Sequence, residues 1–531
     1  MSIPEYDSRV LRWLAADARD DFLPDYLRYR DIAMHEGPWR RSASEKELPF
    51  EVPKNPLFAR AAVWLPPTTR LRYLTAVLPL LAELSHIQND RCYSYRVEEG
   101  VVPPFPHVVS DWLRFQRDYK AALARSHGWS VCADVASYFE HLVPANVVSR
   151  IAGMLPRDVR GRVTPWLRNV LAVLEQVSHA GIPQNNEASS FLASVYLAEI
   201  DRALGSYEEV QYFRYQDDIR IVAPSRLLAI AACRRVQELL RERRLFLNSS
   251  KTQLVAPESD EWLRQVDLAG DEQLSEIDSM LSTGAVAEGL VRRLLLSFEE
   301  AAAKGAGARV KAIGARLFAI RSEGGWSLMD DVLVRVGLRG FEELPQFSDY
   351  WFRVLQSCMN EDVAARVLRA LESDGGFQGA WVRFWLLNLL ATSPVVVGGA
   401  VSTAASVMEL TSDPSLASAA VVVVARHGRA VDAERLVELA GRSGLPLQVR
   451  RALLFSRWFL RAKSRALIVD KVDDSSSPVR SAMLANAKHV RASWLFSWPP
   501  VTFPAPASLM EGMLGNELRV IRSPLGSADY E

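Results

Sequence analysis

Two adjacent carboxylates, Asp217 and Asp218, lie between two short runs of β-forming residues in the segment 210–225. This pattern predicts a β-hairpin with both carboxylates at its tip. A third carboxylate, Asp134, lies near the end of a predicted strand over 129–135. Carboxylate oxygens that converge from separate strands are the ligands that Mg²⁺ prefers. An Asp pair at a hairpin tip also occurs in ordinary turns, so the metal chemistry depends on Asp134 joining the pair.

A further motif lies between these two elements. The segment Gly-Ile-Pro-Gln at 181–184 precedes apolar residues at helical spacing through 188–200, which predicts a helix there. The order is a strand ending near Asp134, the 181–184 segment before a helix, and Tyr-Gln-Asp-Asp at 215–218. This order resembles the palm of reverse transcriptases.

The resemblance extends beyond the hairpin in both directions. The segment Leu-Phe-Leu-Asn-Ser-Ser-Lys-Thr at 245–252 is similar to an element that follows the hairpin in that family. Upstream, Ser-Tyr-Arg at 94–96 is similar to a shortened Ser-Tyr-x-x-Arg element, and Lys54 and Arg60 match basic positions of the fingers. The resemblance therefore implies an α+β fingers and palm region, which we place at residues 1–256.

By this resemblance, Asp134 and Asp217 would be bridging ligands of two Mg²⁺ ions, for which Mn²⁺ is an expected substitute. Asp218 would be the supporting carboxylate beside the primer terminus. Two such ions stabilise the attacking hydroxyl oxygen and the departing pyrophosphate in nucleotidyl transfer. The implied reaction is the addition of deoxynucleoside triphosphates (dNTPs) to a growing DNA product.

The resemblance also implies a nucleotide-binding set. Phe139 matches the aromatic residue that crowds a sugar 2′-hydroxyl and so favours deoxynucleotides. Gln184 matches a residue that contacts the incoming nucleotide, while Lys54 and Arg60 match triphosphate contacts, where charge-assisted hydrogen bonds form. Lys251 is either a proton donor to pyrophosphate or a lysine of a turn. Each of these residues also has a purely structural interpretation, as a core aromatic residue or a solvated side chain.

One departure from the family pattern suggests a subgroup. Asn185-Asn186 stands where most relatives have Gly after the motif glutamine, and Gly there lets backbone approach the template or nucleotide closely. This departure is similar to bacterial abortive-infection and defence-associated reverse transcriptases. That resemblance implies an antiphage role, with synthesis primed by a protein hydroxyl and without an ordinary template. Tyr26 and Tyr29 are available tyrosines, and no motif singles one out.

Two alternative functions stay open at this point. One is an RNA-templated reverse transcriptase that uses a dedicated noncoding RNA as its partner. The other is a non-catalytic helical interaction protein with a vestigial palm. An RNA polymerase is disfavoured by the aromatic ring of Phe139.

Net charge and cysteine spacing indicate which surfaces and which cellular compartment to expect. The formal net charge is zero, so a basic surface must be local, and the arginine-rich segment 231–255 is either a phosphate-facing surface or a solvated helix face. The four cysteines have no metal-binding or disulfide spacing, which favours a reducing, cytoplasmic location.

The uncharged stretch 384–408 is long enough for a membrane span. Its Ser-Pro and Gly-Gly pairs favour two buried helices instead, so we expect no membrane association.

The second half of the chain, 257–531, is predicted to be an all-α domain. Pro414, Pro446 and Pro478 each open a helical run and are spaced by 32 residues, which resembles HEAT-like helical pairs. No phosphate-binding loop, zinc-protease motif or zinc-spaced nuclease pattern occurs here. We expect this domain to supply nucleic-acid and subunit contacts, which makes a homo-oligomer the expected state.

Overall fold

The computed structural model describes residues 9–10, 13–14, 46–88, 90–98, 100–101, 104–105, 108–178, 181–184, 186–266, 288–322, 327–373 and 379–472. Tyr26, Tyr29, Asn185 and Pro478, which were singled out in the sequence, lie outside these residues. The described part of the chain is mostly helical and contains two small antiparallel sheets.

The strands fall into one hairpin and one four-stranded sheet. In chain order they are β1 (Leu48–Pro53), β2 (Ala59–Trp64), β3 (Trp129–Asp134), β4 (Gln211–Tyr215), β5 (Asp218–Ala223) and β6 (Gln253–Val255). The hairpin pairs β1 with β2, and the sheet has the order β4-β5-β3-β6. All of its pairings are antiparallel. The hairpin predicted over 210–225 is present. Its first strand, β4, ends at Tyr215, and its second strand, β5, begins at Asp218.

Helices surround these strands in the first part of the chain. They are α1 (Pro67–Leu84), α2 (Val108–Ser126), α3 (Tyr138–His141), α4 (Pro144–Met154), α5 (Arg157–Ser178), α6 (Glu187–Tyr196), α7 (Ala198–Gly205), α8 (Arg226–Arg241) and α9 (Asp260–Val266) among the described residues. The strand predicted over 129–135 is β3. The single helix predicted over 188–200 is instead two helices, α6 and α7, because the backbone of Leu197 ends the first and starts the second.

The described residues after α9 form helices and no strands. They are α10 (Glu288–Ala303), α11 (Gly307–Ser322), α12 (Ser327–Glu343), α13 (Ser348–Ser357), α14 (Glu361–Glu372), α15 (Ala380–Thr392), α16 (Ala400–Leu410), α17 (Pro414–His427), α18 (Ala430–Ala440), α19 (Leu447–Ser456) and α20 (Ala462–Lys471). The predicted all-helical character of this half is therefore confirmed over the described residues.

The helix α17 lies at the centre of this helical packing. Every residue from Ser415 to Ala425 of α17 is buried, and α17 packs against α15, α16, α18 and α19. The uncharged stretch 384–408 contains the end of α15 and most of α16, separated by residues 393–399. Among the described residues, no helix is both long and apolar enough to cross a membrane.

The proline spacing has a local structural counterpart. Pro414 is the first residue of α17, and Pro446 immediately precedes α19. Proline suits the first turn of a helix because its missing N–H has no partner there in any case. The assignment of these helices to HEAT-like repeats stays a prediction.

The helical half contacts the β1–β2 hairpin directly. The ring of Phe50 on β1 is stacked on Trp381 of α15, with centroids 6.2 Å apart and planes 4° from parallel. Trp381 in turn meets Trp385 edge-on, with a centroid distance of 5.9 Å. The hairpin is therefore held between the first part of the chain and the helices that follow.

Candidate active site

The strand pairing brings the three aspartates together at one end of the two central strands of the sheet. We call this end, with Asp134, Asp217 and Asp218, the carboxylate edge. In the antiparallel register of β3 and β5, Asp134 lies opposite Asp218. Residues opposed in this way have Cα atoms about 5 Å apart. The amide of Val135 also donates to the carbonyl of Asp217 at 3.1 Å. The last residue of β3 is thus fixed against both residues of the Asp pair.

The electrostatics of this edge are those of crowded negative charge. Burial, followed by the negative charges of Asp134 and Asp218, raises the pKa of Asp217 to about 6. Burial also raises the pKa of Asp218, although the positive charge of Arg220 opposes it. Because removal from water and like charges both disfavour ionised carboxylates, a cation at this edge would be stabilised.

Two basic side chains already contact the aspartates. The Nζ of Lys251 lies 3.2 Å from Oδ2 of Asp134, and Nη1 of Arg220 lies 3.3 Å from Oδ1 of Asp218. Lys251 is largely exposed, and Arg220 is mostly buried. These cations offset part of the negative charge where it is most concentrated.

The donor atoms at this edge are of the type that a hard divalent cation prefers. They are carboxylate oxygens at the ends of two neighbouring strands, and their negative charges disfavour one another. Across the described residues, however, no three His, Cys, Asp or Glu side chains form a preassembled ligand group. The carboxylates of Asp134 and Asp218 point instead at Lys251 and Arg220, so metal binding would require them to exchange these partners.

The position of Lys251 is set by a turn anchored on β3. The amide of Asn248 donates to the carbonyl of Asp134 at 2.7 Å, and the amide of Ala136 donates to that of Phe246 at 2.8 Å. Within the turn, Asn248 accepts from the amide of Lys251 at 3.2 Å. The segment 245–252 therefore brings its lysine to the carboxylate edge.

A second group of polar side chains lies beside α3. Nζ of Lys54, at the end of the β1–β2 hairpin, lies 3.6 Å from Oε1 of Glu140 and 3.4 Å from the hydroxyl of Ser137. Nε2 of Gln184 donates to the same Glu140 oxygen at 3.4 Å and to the carbonyl of Ala61 at 3.5 Å. Two of the expected nucleotide-binding residues thus share one carboxylate.

The ring of Phe139 is partly buried beside this group, and its neighbour in sequence, Tyr138, packs against it. The carbonyl of Phe139 accepts from the amide of Ile182 at 3.1 Å. This close approach requires glycine at 181, which has φ +45°, because a Cβ there would lie 1.8 Å from that carbonyl. The 181–184 segment therefore lies against α3.

Among the described residues, Arg60 shows no contact with the three aspartates or with Glu140. It lies on β2 opposite Val52 and is partly exposed. In the basic segment 231–255, Arg243 is buried and paired with Glu199 at 2.5 Å, so it is not available to phosphate. The other arginines of this segment are exposed, except the half-buried Arg235. This exposure is expected both of a phosphate-facing surface and of a solvated helix face.

Sequence reasoning missed Arg220 and Glu140. Arg220 has a recoverable signal, because strand residues two apart share a face, which places it beside Asp218. Glu140 has no such signal, because its partners come from two distant segments of the chain. Asn248 stood in the recognised 245–252 segment, but its backbone contact with Asp134 could not be read from spacing.

Comparison with known proteins gives one family match. Residues 80–272 match the family model described as "Reverse transcriptase (RNA-dependent DNA polymerase)". This segment contains the three aspartates of the carboxylate edge, Gln184 and Lys251, whereas Lys54 and Arg60 precede it. No curated protein matches the chain.

The solved structures to which this chain is similar include two telomerases. One is telomerase from Candida albicans in complex with the TWJ fragment of telomeric RNA, with 11% identity, a TM-score of 0.29, and coverage of 66% of this chain and 68% of that chain. The other is apo telomerase from Candida tropicalis, with the same identity and TM-score, covering 66% of this chain and 70% of that chain.

Proposed function

Because residues 80–272 contain a reverse-transcriptase domain, we propose that this protein is a DNA polymerase that adds deoxynucleotides by two-metal nucleotidyl transfer. The observation that carries the proposal is the opposition of Asp134 and Asp218 beside Asp217. These three carboxylates would hold the divalent ions. Such ions, when bound, polarise the α-phosphate and stabilise the charge on the attacking and leaving oxygens.

The other side chains have roles that follow from charge and position. Lys251 lies at the carboxylate edge and is a candidate proton donor to the leaving pyrophosphate. Lys54 and Arg60, on the β1–β2 hairpin, are proposed to bind the triphosphate, and Gln184 to contact the nucleotide. Phe139 is proposed to exclude a sugar 2′-hydroxyl. Release of Lys54 from Glu140 would free its ammonium group for phosphate.

We further propose that the polymerase acts in bacterial antiphage defence by abortive infection. The support is the similarity of its motifs to that group and the long helical region that follows the reverse-transcriptase domain. In this proposal, synthesis starts from a protein hydroxyl and needs no ordinary template. The helical region, with HEAT-like pairs, would contact the product and other subunits.

The first test is the identity of the nucleic acid that co-purifies with the full chain. It should be DNA, and protease digestion should change its mobility if it is covalently attached to protein. The purified chain should also incorporate dNTPs with Mg²⁺ or Mn²⁺. A product that copies a bound RNA would instead favour a templated enzyme with a noncoding RNA partner.

The second test separates catalysis from a scaffold role. An Asp217→Ala, Asp218→Ala double variant should lose both dNTP incorporation and phage protection. Asp158→Asn, an exposed change on α5 outside the aspartate motifs, is the matched control and should retain both. Phage protection that survives in the double variant would overturn the enzymatic proposal in favour of a helical interaction protein.

A further inference from the structure

The residue before the Asp pair has a backbone conformation that needs support. Gln216 lies in the left-handed region, with φ 53°, which is uncommon for a residue with a side chain. Its amide donates to the hydroxyl of Ser94 at 2.9 Å, and its carbonyl accepts from Nη1 of Arg214 at 3.0 Å. Its side-chain Nε2 donates to the carbonyl of Ser190 at 3.1 Å. Two distant segments and the preceding strand therefore hold this one residue.

Arg214 is itself locked in place. Its side chain and that of Asp201 are fully buried, and Nε and Nη2 donate to the two carboxylate oxygens at 2.6 Å each. Nη2 also donates to the carbonyl of Ser194 at 3.0 Å. A bidentate arginine–carboxylate pair fixes both the position and the orientation of the guanidinium group. The guanidinium thus presents Nη1 to Gln216 from a rigid position.

Ser94 is fixed just as firmly. It is fully buried, and the chain before it pairs with β4, since the amide of Tyr93 donates to the carbonyl of Arg214 at 2.9 Å. The amide of Arg214 in turn donates to the carbonyl of Arg91 at 2.9 Å. The backbone that carries Ser94 is therefore tied to the strand that ends at the hairpin tip.

We propose that Ser94 and the Arg214–Asp201 pair are positioning residues that hold Gln216 in its left-handed conformation and thereby keep Asp217 and Asp218 beside Asp134. This inference rests on the proposed polymerase function. None of the three residues touches the nucleotide in this scheme, because each is buried behind the tip. These residues would affect the reaction only by fixing the position of the Asp217 and Asp218 carboxylates.

The test compares Ser94→Ala with Ser194→Ala in the full chain. Both changes remove one hydroxyl from a buried serine of the same cluster. The Ser194 hydroxyl contacts Cys92 and the carbonyl of Ser94, but not Gln216. Ser94→Ala should lower kcat for dNTP incorporation by about tenfold or more, because small misplacements of catalytic groups are costly. The KM for dNTP should stay unchanged.

A second readout does not depend on activity. In metal-free protein, hydrogen–deuterium exchange of the 216–218 amides should be faster in Ser94→Ala than in Ser194→Ala, while exchange in the remaining sheet stays equal. Ser94→Thr, which retains the hydroxyl, should recover kcat. If Ser94→Ala does not fold, Ser94→Cys replaces it, since a thiol accepts hydrogen bonds weakly, and the same loss of kcat is expected.

The outcomes separate this inference from the function on which it rests. Equal kcat in Ser94→Ala and the Ser194→Ala control, in an active wild-type background, would overturn the positioning role alone. A wild-type chain that incorporates no dNTP, or an Asp217→Ala, Asp218→Ala variant that still does, would overturn the polymerase function instead. Faster tip exchange in Ser94→Ala would then still support the structural part of the argument.

Discussion

Asp134, at the end of β3, lies directly opposite Asp218, at the start of β5, so two segments 84 residues apart in the sequence meet as strand partners. Asp217 adds a third carboxylate, whose pKa is raised to about 6 by burial and by its two acidic neighbours. In the absence of metal, this arrangement costs stability. That cost is expected of a site shaped for a cation.

Asp217→Asn should therefore stabilise the metal-free protein while abolishing dNTP incorporation. A shift of about two pKa units corresponds to about 1–3 kcal/mol in the free energy of unfolding near pH 7.5. Urea titration with a chelator present measures this gain. Added Mg²⁺ should stabilise the wild type but not the variant. Lower stability of Asp217→Asn under chelation would contradict this account of the site.

Replacement of Phe139 tests sugar selection. Phe139→Ala removes the ring proposed to crowd the 2′-hydroxyl, so the ratio of kcat/KM for dNTP over ribonucleotide should fall by about tenfold or more. Tyr138→Phe is a suitable comparison, because it removes only a hydroxyl that bonds to the carbonyl of Ala193. An unchanged ratio in Phe139→Ala would leave the ring as a packing residue.

The sequence predicted the parts of this site that depend on local pattern. Alternating β-forming residues around Asp217 and Asp218 specified the hairpin, and the run before Asp134 specified its strand. Contacts between distant segments were not predictable in the same way. Glu140 meets Lys54 and Gln184 only because the hairpin and the 181–184 segment fold onto α3.

The split of the predicted helix over 188–200 has a similar cause. Its apolar stripe is continuous in the sequence, but the backbone turns at Leu197. Asp201, on the second of the two helices, pairs with Arg214. A buried ion pair of this kind is specified by packing in three dimensions, and residue spacing alone carries no trace of it.

The shared carboxylate of Glu140 gives a prediction for nucleotide affinity. Glu140→Gln keeps an oxygen acceptor for Gln184 but removes the charge beside Lys54, so Lys54 offers its full positive charge to the triphosphate. The KM for dNTP should fall by no more than about fivefold, because partly exposed ion pairs are worth at most about 1 kcal/mol. Lys54→Met should raise KM. A higher KM in Glu140→Gln would show that the carboxylate orients Lys54 instead of competing with phosphate.

The stacked pair of Phe50 and Trp381 links the β1–β2 hairpin to α15. A double-mutant cycle with Phe50→Leu and Trp381→Leu should give a coupling of about 0.5–1.5 kcal/mol in the free energy of unfolding, as for other aromatic pairs. Because the hairpin carries Lys54 at its end, each single variant should also raise the KM for dNTP. Phe459→Leu, which disrupts the contact with Phe455 within the helical half, is the control. It should lower stability without changing KM, and an equal KM effect in the control would show that the helices act on the site through general stability alone.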